Sequence, residues 1–192
     1  MGTPFQQQIE KAAVLVEALP YLQQFRGHTF LIKVGGSAMD DPELVKRLLR
    51  DVVFMEVAGI NPVLVHGGGK AISAAMKSAG LDAEFVGGLR VTSDEAMTLV
   101  ERTLSREINP GLVKGIEEFG GRALGVPGNE AFIGERISGW SQDEHREISL
   151  GRVGRVIGFD LSKIRAAITT EIVPVVSPIA SEKGTLLSLN VN

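Results

Sequence analysis

Short apolar runs alternate along this chain with longer segments in which apolar residues recur every three or four positions. The runs are rich in Val, Ile and Leu and predict buried strands at 29–34, 63–65, 122–126 and 173–176. The longer segments predict helices, so that neighbouring strands are parallel with a helix crossing one face. Residues 127–158 have many glycines and short apolar pairs, which predict a hairpin. The expected fold class is α/β: a three-layer αβα sandwich with a mainly parallel sheet and a β-hairpin insertion.

The segment before the first strand predicts a helix from Phe5 to Leu19, because its apolar residues follow helical spacing. Pro20 is expected to kink or restart this helix, and Gly27 to end it. The residues alone leave two interpretations open. The helix packs on its own domain, or it is an arm that packs on another subunit.

Two further prolines bear on the predicted elements. Pro174 lies in the apolar run at 173–176, which indicates an edge strand or the start of a strand. Pro110 is expected to interrupt the helix predicted to begin near Thr92.

Two of the predicted strands end in glycines. The strand at 63–65 leads into the turn Gly67–Gly69, after which a helix is predicted, and the strand at 29–34 ends at Gly35 and Gly36. The first N–H groups of a helix have no acceptor within it and, with the helix dipole, attract anions. Glycine lets an anion approach the backbone closely. The sequence therefore predicts two neighbouring loops that bind two anionic groups at the carboxyl ends of the strands.

Three polar residues are candidates for contacts to such ligands. Lys33 lies inside an apolar strand two residues before the first glycine pair, where its amine must reach solvent or an anion. Arg90 follows two glycines and has the geometry to bind a carboxylate, although a surface arginine explains it as well. Asn190 and Asn192 are unusual residues for a strand and can hydrogen-bond a polar ligand, but solvation near the terminus is an equal explanation.

Other nucleotide and catalytic motifs fit less well. A P-loop requires a glycine at Leu64 and a hydroxyl at Ala71. A dinucleotide fingerprint requires a third glycine at Ile72. No G-x-S-x-G motif is present, and the histidines lack metal-ligand spacing, so no metal site is expected.

Composition narrows the class of protein further. The net charge of −3 and the scattered basic residues argue against a nucleic-acid-binding protein. No apolar segment is long enough for a membrane span, and the first ten residues lack the apolar core of a signal peptide. The chain has no cysteine, so neither a disulfide framework nor a thiol nucleophile is expected. These features are compatible with a cytoplasmic protein.

Five motifs in order along the chain resemble the N-acetylglutamate kinases of the amino acid kinase family. They are Lys33-Val34-Gly35-Gly36-Ser37-Ala38-Met39, Val65-His66-Gly67-Gly68-Gly69, Gly88-Leu89-Arg90-Val91-Thr92, Pro174-Val175-Val176-Ser177-Pro178-Ile179 and Asn190-Val191-Asn192. The resemblance implies the ATP-dependent phosphorylation of the γ-carboxylate of N-acetyl-L-glutamate in arginine biosynthesis, with Mg²⁺ accompanying ATP. The leading helix resembles the arm of arginine-sensitive, hexameric members, which favours a homo-oligomer formed through residues 1–27.

The resemblance also assigns roles to residues of this chain. Lys33 would be catalytic and bridge the transferred phosphoryl group. The positions near the phosphates would be Gly35, Gly36 and Gly67. The positions that bind the amino-acid substrate would be Gly68, Gly69, Arg90 and Asn190.

In that family the Asn-Val-Asn motif continues into a second lobe that binds ATP. Residues 28–192 are therefore expected to be the amino-acid-substrate lobe, without the ATP-binding lobe and inactive on their own. An alternative stays open: a non-catalytic half that binds an acidic amino acid or provides an oligomerisation scaffold.

Overall fold

A four-stranded parallel sheet forms the centre of the computed structural model, which describes residues 3–141 and 145–192. Its strands are β1 (Thr29–Val34), β2 (Asn61–His66), β5 (Ala123–Val126) and β8 (Val173–Val176). Their order in the sheet is β1-β2-β8-β5. All three strand pairs are parallel, so the carboxyl ends of the strands meet at one edge, where the glycine turns lie.

Helices pack on both faces of this sheet. The α-helices of the described chain are α1 (Pro4–Phe25), α2 (Pro42–Val57), α3 (Gly69–Ser78), α4 (Asp94–Glu101), α5 (Asn109–Glu118) and α6 (Ser162–Thr169). α2 and α5 bury one apolar cluster with the sheet, and α6 buries another that includes Val63 and Val176. Asp41 starts α2 by accepting N–H bonds from Glu43 and Leu44. The predicted α/β sandwich with a mainly parallel sheet is confirmed.

The predicted hairpin insertion is also confirmed, and it is part of a small barrel. β6 (Phe132–Ser141) and β7 (Arg146–Phe159) pair antiparallel. The tip at 142–144 lies outside the described residues. β9 (Ile179–Glu182) and β10 (Ser188–Asn190) close this pair into a four-stranded barrel. A short hairpin of β3 (Phe85–Val86) and β4 (Leu89–Arg90) follows α3.

One proline expectation is confirmed in one of its alternatives, and the other needs correction. β8 is an interior strand, and Pro174 is its second residue, so it marks a strand start and not a sheet edge. Pro110 does not interrupt its helix, because α4 continues into α5 through a π-helical segment, Arg102–Ile108. The backbone N–H of Asn109 bonds to the carbonyl of Leu104, five residues back. This wider turn directly before the proline accommodates its ring without ending the helix.

The N-terminal helix α1 leaves most of its apolar side chains exposed. Val14, Leu15 and Val16 are each at least 64% exposed, which does not favour packing of the helix on its own domain, and its role as an arm stays a prediction. The helix also runs through Pro20 as a single element and ends before Gly27, whose φ is +79°. Within the described residues no helix is both long enough and apolar enough to cross a membrane.

An ion network ties the barrel to the start of α4. Arg152 is 8% exposed and bonds to Asp94 at 2.5 Å and to Glu182 at 2.7 Å. Glu182 also accepts two bonds from Arg136, at 2.5 and 3.2 Å. The hydrogen bond from Arg136 is the main reason that the pKa of Glu182 falls from 4.5 to about 2, and Thr185 and the charge of Arg152 add to it. The carboxylate of Glu182 therefore stays charged at pH values well below its ordinary pKa.

This network predicts a loss of stability in acid that depends on Glu182. Because the folded-state pKa is lowered, the stabilisation is complete above pH 4.5 and is lost as the pH falls towards about 2. Arg136 is 46% exposed, so solvent screening reduces the pH-dependent contribution of Glu182 to the free energy of unfolding to about 1–2 kcal/mol. Urea unfolding between pH 6 and pH 2 should show it in the wild type and not in Glu182→Gln. Glu135→Gln, which removes a carboxylate from an exposed pair with Arg155, should follow the wild-type profile, and equal profiles for all three proteins would contradict the assignment.

Candidate active site

One cavity of about 800 Å³ opens at the carboxyl ends of β1 and β2. Both glycine turns, the first turn of α3, the β3–β4 hairpin and the C-terminal residue contribute to it. Its lining residues are Lys33, Gly35, Gly36, Met39, Asp40, Gly67, Gly68, Gly69, Lys70, Ala71, Ser73, Phe85, Arg90, Ile108 and Asn192. Three of these side chains are cationic and one is acidic, so the cavity suits an anionic ligand.

The two glycine turns touch each other, as the sequence predicts. The N–H of Gly67 donates to the carbonyl of Val34 at 2.7 Å. A Cβ on Gly67 would lie 3.3 Å from the Cα of Gly35, a tighter contact than Cβ atoms usually make. Glycine at position 67 therefore suits the close approach of the two backbones.

The amino terminus of α3 faces the cavity with free N–H groups. The first hydrogen bond of the helix runs from the N–H of Ile72 to the carbonyl of Gly68, at 2.9 Å. The preceding N–H groups, including those of Gly68 and Gly69, have no acceptor inside the helix. Together with the helix dipole they form a site for a carboxylate or a phosphoryl group.

Arg90 is a buried cation on the wall of this cavity, with 7% of its surface exposed. Its Nη2 donates to the carbonyl of Gly69 at 3.0 Å and to Ser73 Oγ at 2.8 Å. Its guanidinium carbon lies 4.6 Å from the centre of the Phe85 ring, within cation–π range. Burial lowers the pKa of Arg90, but an arginine this basic stays charged at neutral pH.

None of these partners of Arg90 is an anion. Within residues 3–141 and 145–192, no ion pair of Arg90 with a carboxylate is present. A buried charge without a counter-ion is costly, and this one is held rigid by neutral acceptors at the edge of an open cavity. The geometry therefore provides a binding position for a carboxylate of a ligand.

The two lysines of the cavity differ in their surroundings. Lys33 is exposed near the end of β1, and its side-chain amine makes no ion pair or hydrogen bond to the described residues, so it is available to an anionic ligand. Lys70 Nζ lies 2.8 Å from Asp40 Oδ2 and links the two turns across the mouth of the cavity. Lys33 is thus the more available cation for a phosphoryl group.

The two terminal asparagines occupy different places. Asn190 is buried in β10 and is not among the residues that line the cavity, whereas Asn192 is. The side-chain oxygen of Asn190 accepts the backbone N–H of Asn192 at 3.2 Å. Asn190 thus holds the last turn of the chain, and a direct contact from it to a ligand stays a prediction.

The sequence reasoning missed several cavity residues. Ser73 orients Arg90 and also donates to the carbonyl of Gly69 at 3.0 Å. It follows the last glycine by four residues, one helical turn, which is the signal that could have placed it beside that carbonyl. Phe85 is the cross-strand neighbour of Arg90, but a two-residue strand gives too little pattern to predict this pairing. Asp40 and Lys70 meet only through the tertiary fold.

No metal-binding cluster is found among the described residues. Asp40 is the only carboxylate among the cavity residues of the described chain, and it is paired with Lys70. Mg²⁺ prefers several oxygen ligands, so these residues do not fit a magnesium site of their own.

Comparison with known proteins gives the family. The family model described as the amino acid kinase family matches residues 28–192. The acetylglutamate kinase of Akkermansia muciniphila is 58% identical over 185 residues, which are 96% of this chain and 62% of that protein. The acetylglutamate kinase of Methanocaldococcus jannaschii is 41% identical over 197 residues, covering 99% and 65%. The chain thus spans less than two thirds of the length of these curated relatives.

A solved structure supports the same fold. The N-acetylglutamate synthase of Neisseria gonorrhoeae, complexed with coenzyme A and N-acetyl-glutamate, superposes with a TM-score of 0.76 at 19% identity. The superposition covers 94% of this chain and 40% of that one. The family model covers more than half of the chain and includes every residue of the cavity. This chain belongs to the amino acid kinase family.

Proposed function

We propose that this chain is the amino-acid-binding portion of an acetylglutamate kinase, which phosphorylates the γ-carboxylate of N-acetyl-L-glutamate with ATP. The observation that carries the proposal is the buried Arg90 without a carboxylate partner, in a cavity that is also lined by the first turn of α3 with its N–H groups. A dicarboxylic substrate can place one carboxylate at each of these positions. The acetylglutamate kinases that are 58% and 41% identical to this chain over the aligned residues support the same substrate.

The roles of the residues follow from this placement. Arg90 binds the α-carboxylate, and the N–H groups of Gly68 and Gly69 receive the γ-carboxylate. Lys33, with the backbone of Gly35, Gly36 and Gly67, stabilises the phosphoryl group that approaches it. Phosphoryl transfer depends mostly on fixed donors that hold the two reacting anions together and neutralise their charge.

The nucleotide is proposed to be ATP, with Mg²⁺ bound through its phosphates. Mg²⁺ supplies charge neutralisation on the phosphates when it is bound. The described residues do not fit a site for this ion, so none of the roles above depends on it. The cytoplasmic location expected from the sequence stays a prediction.

Titration calorimetry of the chain tests this proposal. N-acetyl-L-glutamate should bind without ATP, and L-glutamate and N-acetyl-L-glutamine should bind more weakly, since the first carries a charged α-amine and the second lacks the γ-carboxylate. Equal binding of all three, or binding of none, would overturn the proposal. A coupled assay of ADP release should show no turnover by this chain alone, and acetylglutamate-dependent turnover would contradict the proposal that it is only the amino-acid-binding portion.

We also infer that the chain self-associates through α1, in keeping with the resemblance to arginine-sensitive, hexameric members. The support is the row of apolar side chains that α1 leaves exposed: Phe5, Ile9, Val14, Leu15, Val16, Leu19 and Tyr21. An exposed apolar surface of this kind is typical of an interaction site. A second copy of the same helix offers a matching apolar surface.

A charge placed on α1 is expected to weaken this association. Val16 is 69% exposed, and burying a glutamate there against a partner helix should raise the dissociation constant at least about tenfold. Sedimentation equilibrium measures the effect in Val16→Glu. Gln23→Glu adds the same charge at an exposed polar position of the same helix and should associate like the wild type. A wild type that remains monomeric at high concentration would refute the inference.

A further inference from the structure

His66 lies buried directly below the triple-glycine turn, with 1% of its surface exposed. Its Nδ1 is 3.2 Å from the carbonyl oxygen of Gly67, and its Nε2 is 3.2 Å from the side-chain nitrogen of Asn109. Asn109 is 3% exposed. Burial lowers the pKa of His66, opposed by the bond to Gly67. This shift favours the neutral imidazole at neutral pH, and each of its nitrogens has one partner.

The partners fix where the protons are. Asn109 Nδ2 lies 2.8 Å from the carbonyl oxygen of Val175, which can only accept, so this atom is the amide nitrogen. Its second N–H then donates to Nε2 of His66, which must be unprotonated. The remaining proton of His66 is on Nδ1 and donates to the carbonyl of Gly67. A single tautomer gives a partner to both ring nitrogens of His66 and to both N–H groups of the Asn109 side chain.

The bond to Gly67 has a consequence for the cavity. A trans peptide is planar, with its N–H pointing opposite to its carbonyl. Holding the carbonyl of Gly67 towards His66 therefore directs the N–H of Gly68 away from the interior. A turn of three glycines has no side chains of its own to fix this orientation, and glycine explores more backbone conformations than any other residue.

The fold makes specific room for this arrangement. Asn109 directly follows the π-helical segment Arg102–Ile108, and its side chain reaches the sheet. A Cβ on Gly125 would lie only 2.4 Å from Asn109 Oδ1, so a glycine on the neighbouring strand is required to admit the amide. Two residues of the same segment, Leu104 and Ile108, approach Gly68 from its other side.

We propose that His66 and Asn109 are positioning residues that fix the peptide between Gly67 and Gly68, and so aim the N–H of Gly68 at the ligand anion. The identity of that anion, the γ-carboxylate of N-acetyl-L-glutamate, rests on the proposed function. The hydrogen-bond chain itself exists without ligand and can be tested apart from it. Neither residue contacts the ligand.

Two substitutions of His66 separate this role from simple core packing. Asparagine places its amide nitrogen near the position of Nδ1 and keeps a donor for Gly67, while glutamine places its oxygen near Nε2 and keeps only the acceptor for Asn109. In calorimetry, His66→Asn should bind N-acetyl-L-glutamate within about threefold of the wild type, and His66→Gln about tenfold more weakly. A packing role predicts the same affinity for both variants, or the reverse order, and either result overturns the proposal.

Nuclear magnetic resonance of the free chain tests the hydrogen bonds without a ligand. The ¹⁵N shifts of His66 in the wild type should show the neutral form protonated on Nδ1, and the Gly68 amide resonance should move in His66→Gln and much less in His66→Asn. Gly125→Ala, which displaces Asn109 and leaves His66 in place, should disturb the tautomer. A wild-type His66 protonated on Nε2, or a Gly68 amide unchanged in His66→Gln, overturns the proposal even if the wild type binds no acetylglutamate. A wild type that binds no acetylglutamate but shows the expected His66 tautomer and Gly68 shift would instead refute the proposed function.

Discussion

Replacing Arg90 by leucine is expected to weaken the binding of N-acetyl-L-glutamate about 100-fold while leaving the thermal stability of the chain equal or higher. The loss of affinity follows because the guanidinium is the only buried cation that lines the cavity within the described residues. Stability should not fall, because a buried charge without a counter-ion is removed. The two oxygen atoms that accept from Arg90 are the carbonyl of Gly69 and Ser73 Oγ. Both keep a hydrogen-bond partner without Arg90, because Ser73 Oγ already donates to the carbonyl of Gly69. Calorimetry and thermal unfolding of the same samples measure both effects.

Two further variants show whether the planar fork or only the charge is needed. Arg90→Lys keeps the charge but cannot bind a carboxylate through two parallel bonds, so an affinity loss of about tenfold is expected. Ser73→Ala removes one acceptor that orients the guanidinium and should have a smaller effect than either. If Arg90→Leu binds normally but unfolds at a lower temperature, Arg90 is a structural residue and the proposed substrate position is wrong.

The parallel sheet was predictable because its two central strands, β2 and β8, are buried on both faces, unlike the edge strand β1. Val63, Val175 and Val176 are all below 8% exposed, and such strands appear in a sequence as continuous apolar runs. The glycine turns could be placed for the same reason: parallel strands present their carboxyl ends at one edge, so two turns that follow neighbouring strands must meet. The contact between Gly35 and Gly67 is the direct result.

The continuous helix across Pro110 was not predictable from local preferences. Proline in a helix removes one N–H and crowds the carbonyl four residues back, so the sequence favours an interruption. The π-helical turn that accommodates it depends on tertiary packing, since Leu104 is fully buried and Asn109 bonds to the sheet at Val175. A local pattern contains no information about those contacts.

The exposed state of α1 and the places of the asparagines were open for a related reason. Helical spacing shows that α1 has an apolar face but not which surface covers it, and in the structure most of its apolar side chains stay exposed. In a regular strand Asn190 and Asn192 would point to the same side. The chain turns after β10, however, and only Asn192 reaches the cavity. Which asparagine reaches the cavity depends on the backbone direction of one or two residues, and the sequence pattern does not specify that direction.

Substitution of Gly68 by alanine is expected to lower both the stability of the chain and its affinity for N-acetyl-L-glutamate. An added Cβ would lie 2.6 Å from Ile108 Cδ1 and 2.8 Å from Leu104 Cδ2. Leu104 is fully buried and cannot move aside freely, so overpacking should cost about 2 kcal/mol. For a chain of this size, that cost corresponds to a decrease in Tm of about 4–8 °C. Displacing the turn also misaligns the N–H donors of α3, and affinity should fall about tenfold.

The neighbouring glycine provides the matched control. A Cβ on Gly69 meets no atom within 4 Å, so Gly69→Ala should unfold within about 0.5 kcal/mol of the wild type. The difference between the two variants isolates the contact with the π-helical segment, because both add one methyl group to the same turn. If Gly68→Ala is as stable as Gly69→Ala and binds acetylglutamate as tightly as the wild type, the triple-glycine turn does not need the close packing that holds its donors at the cavity.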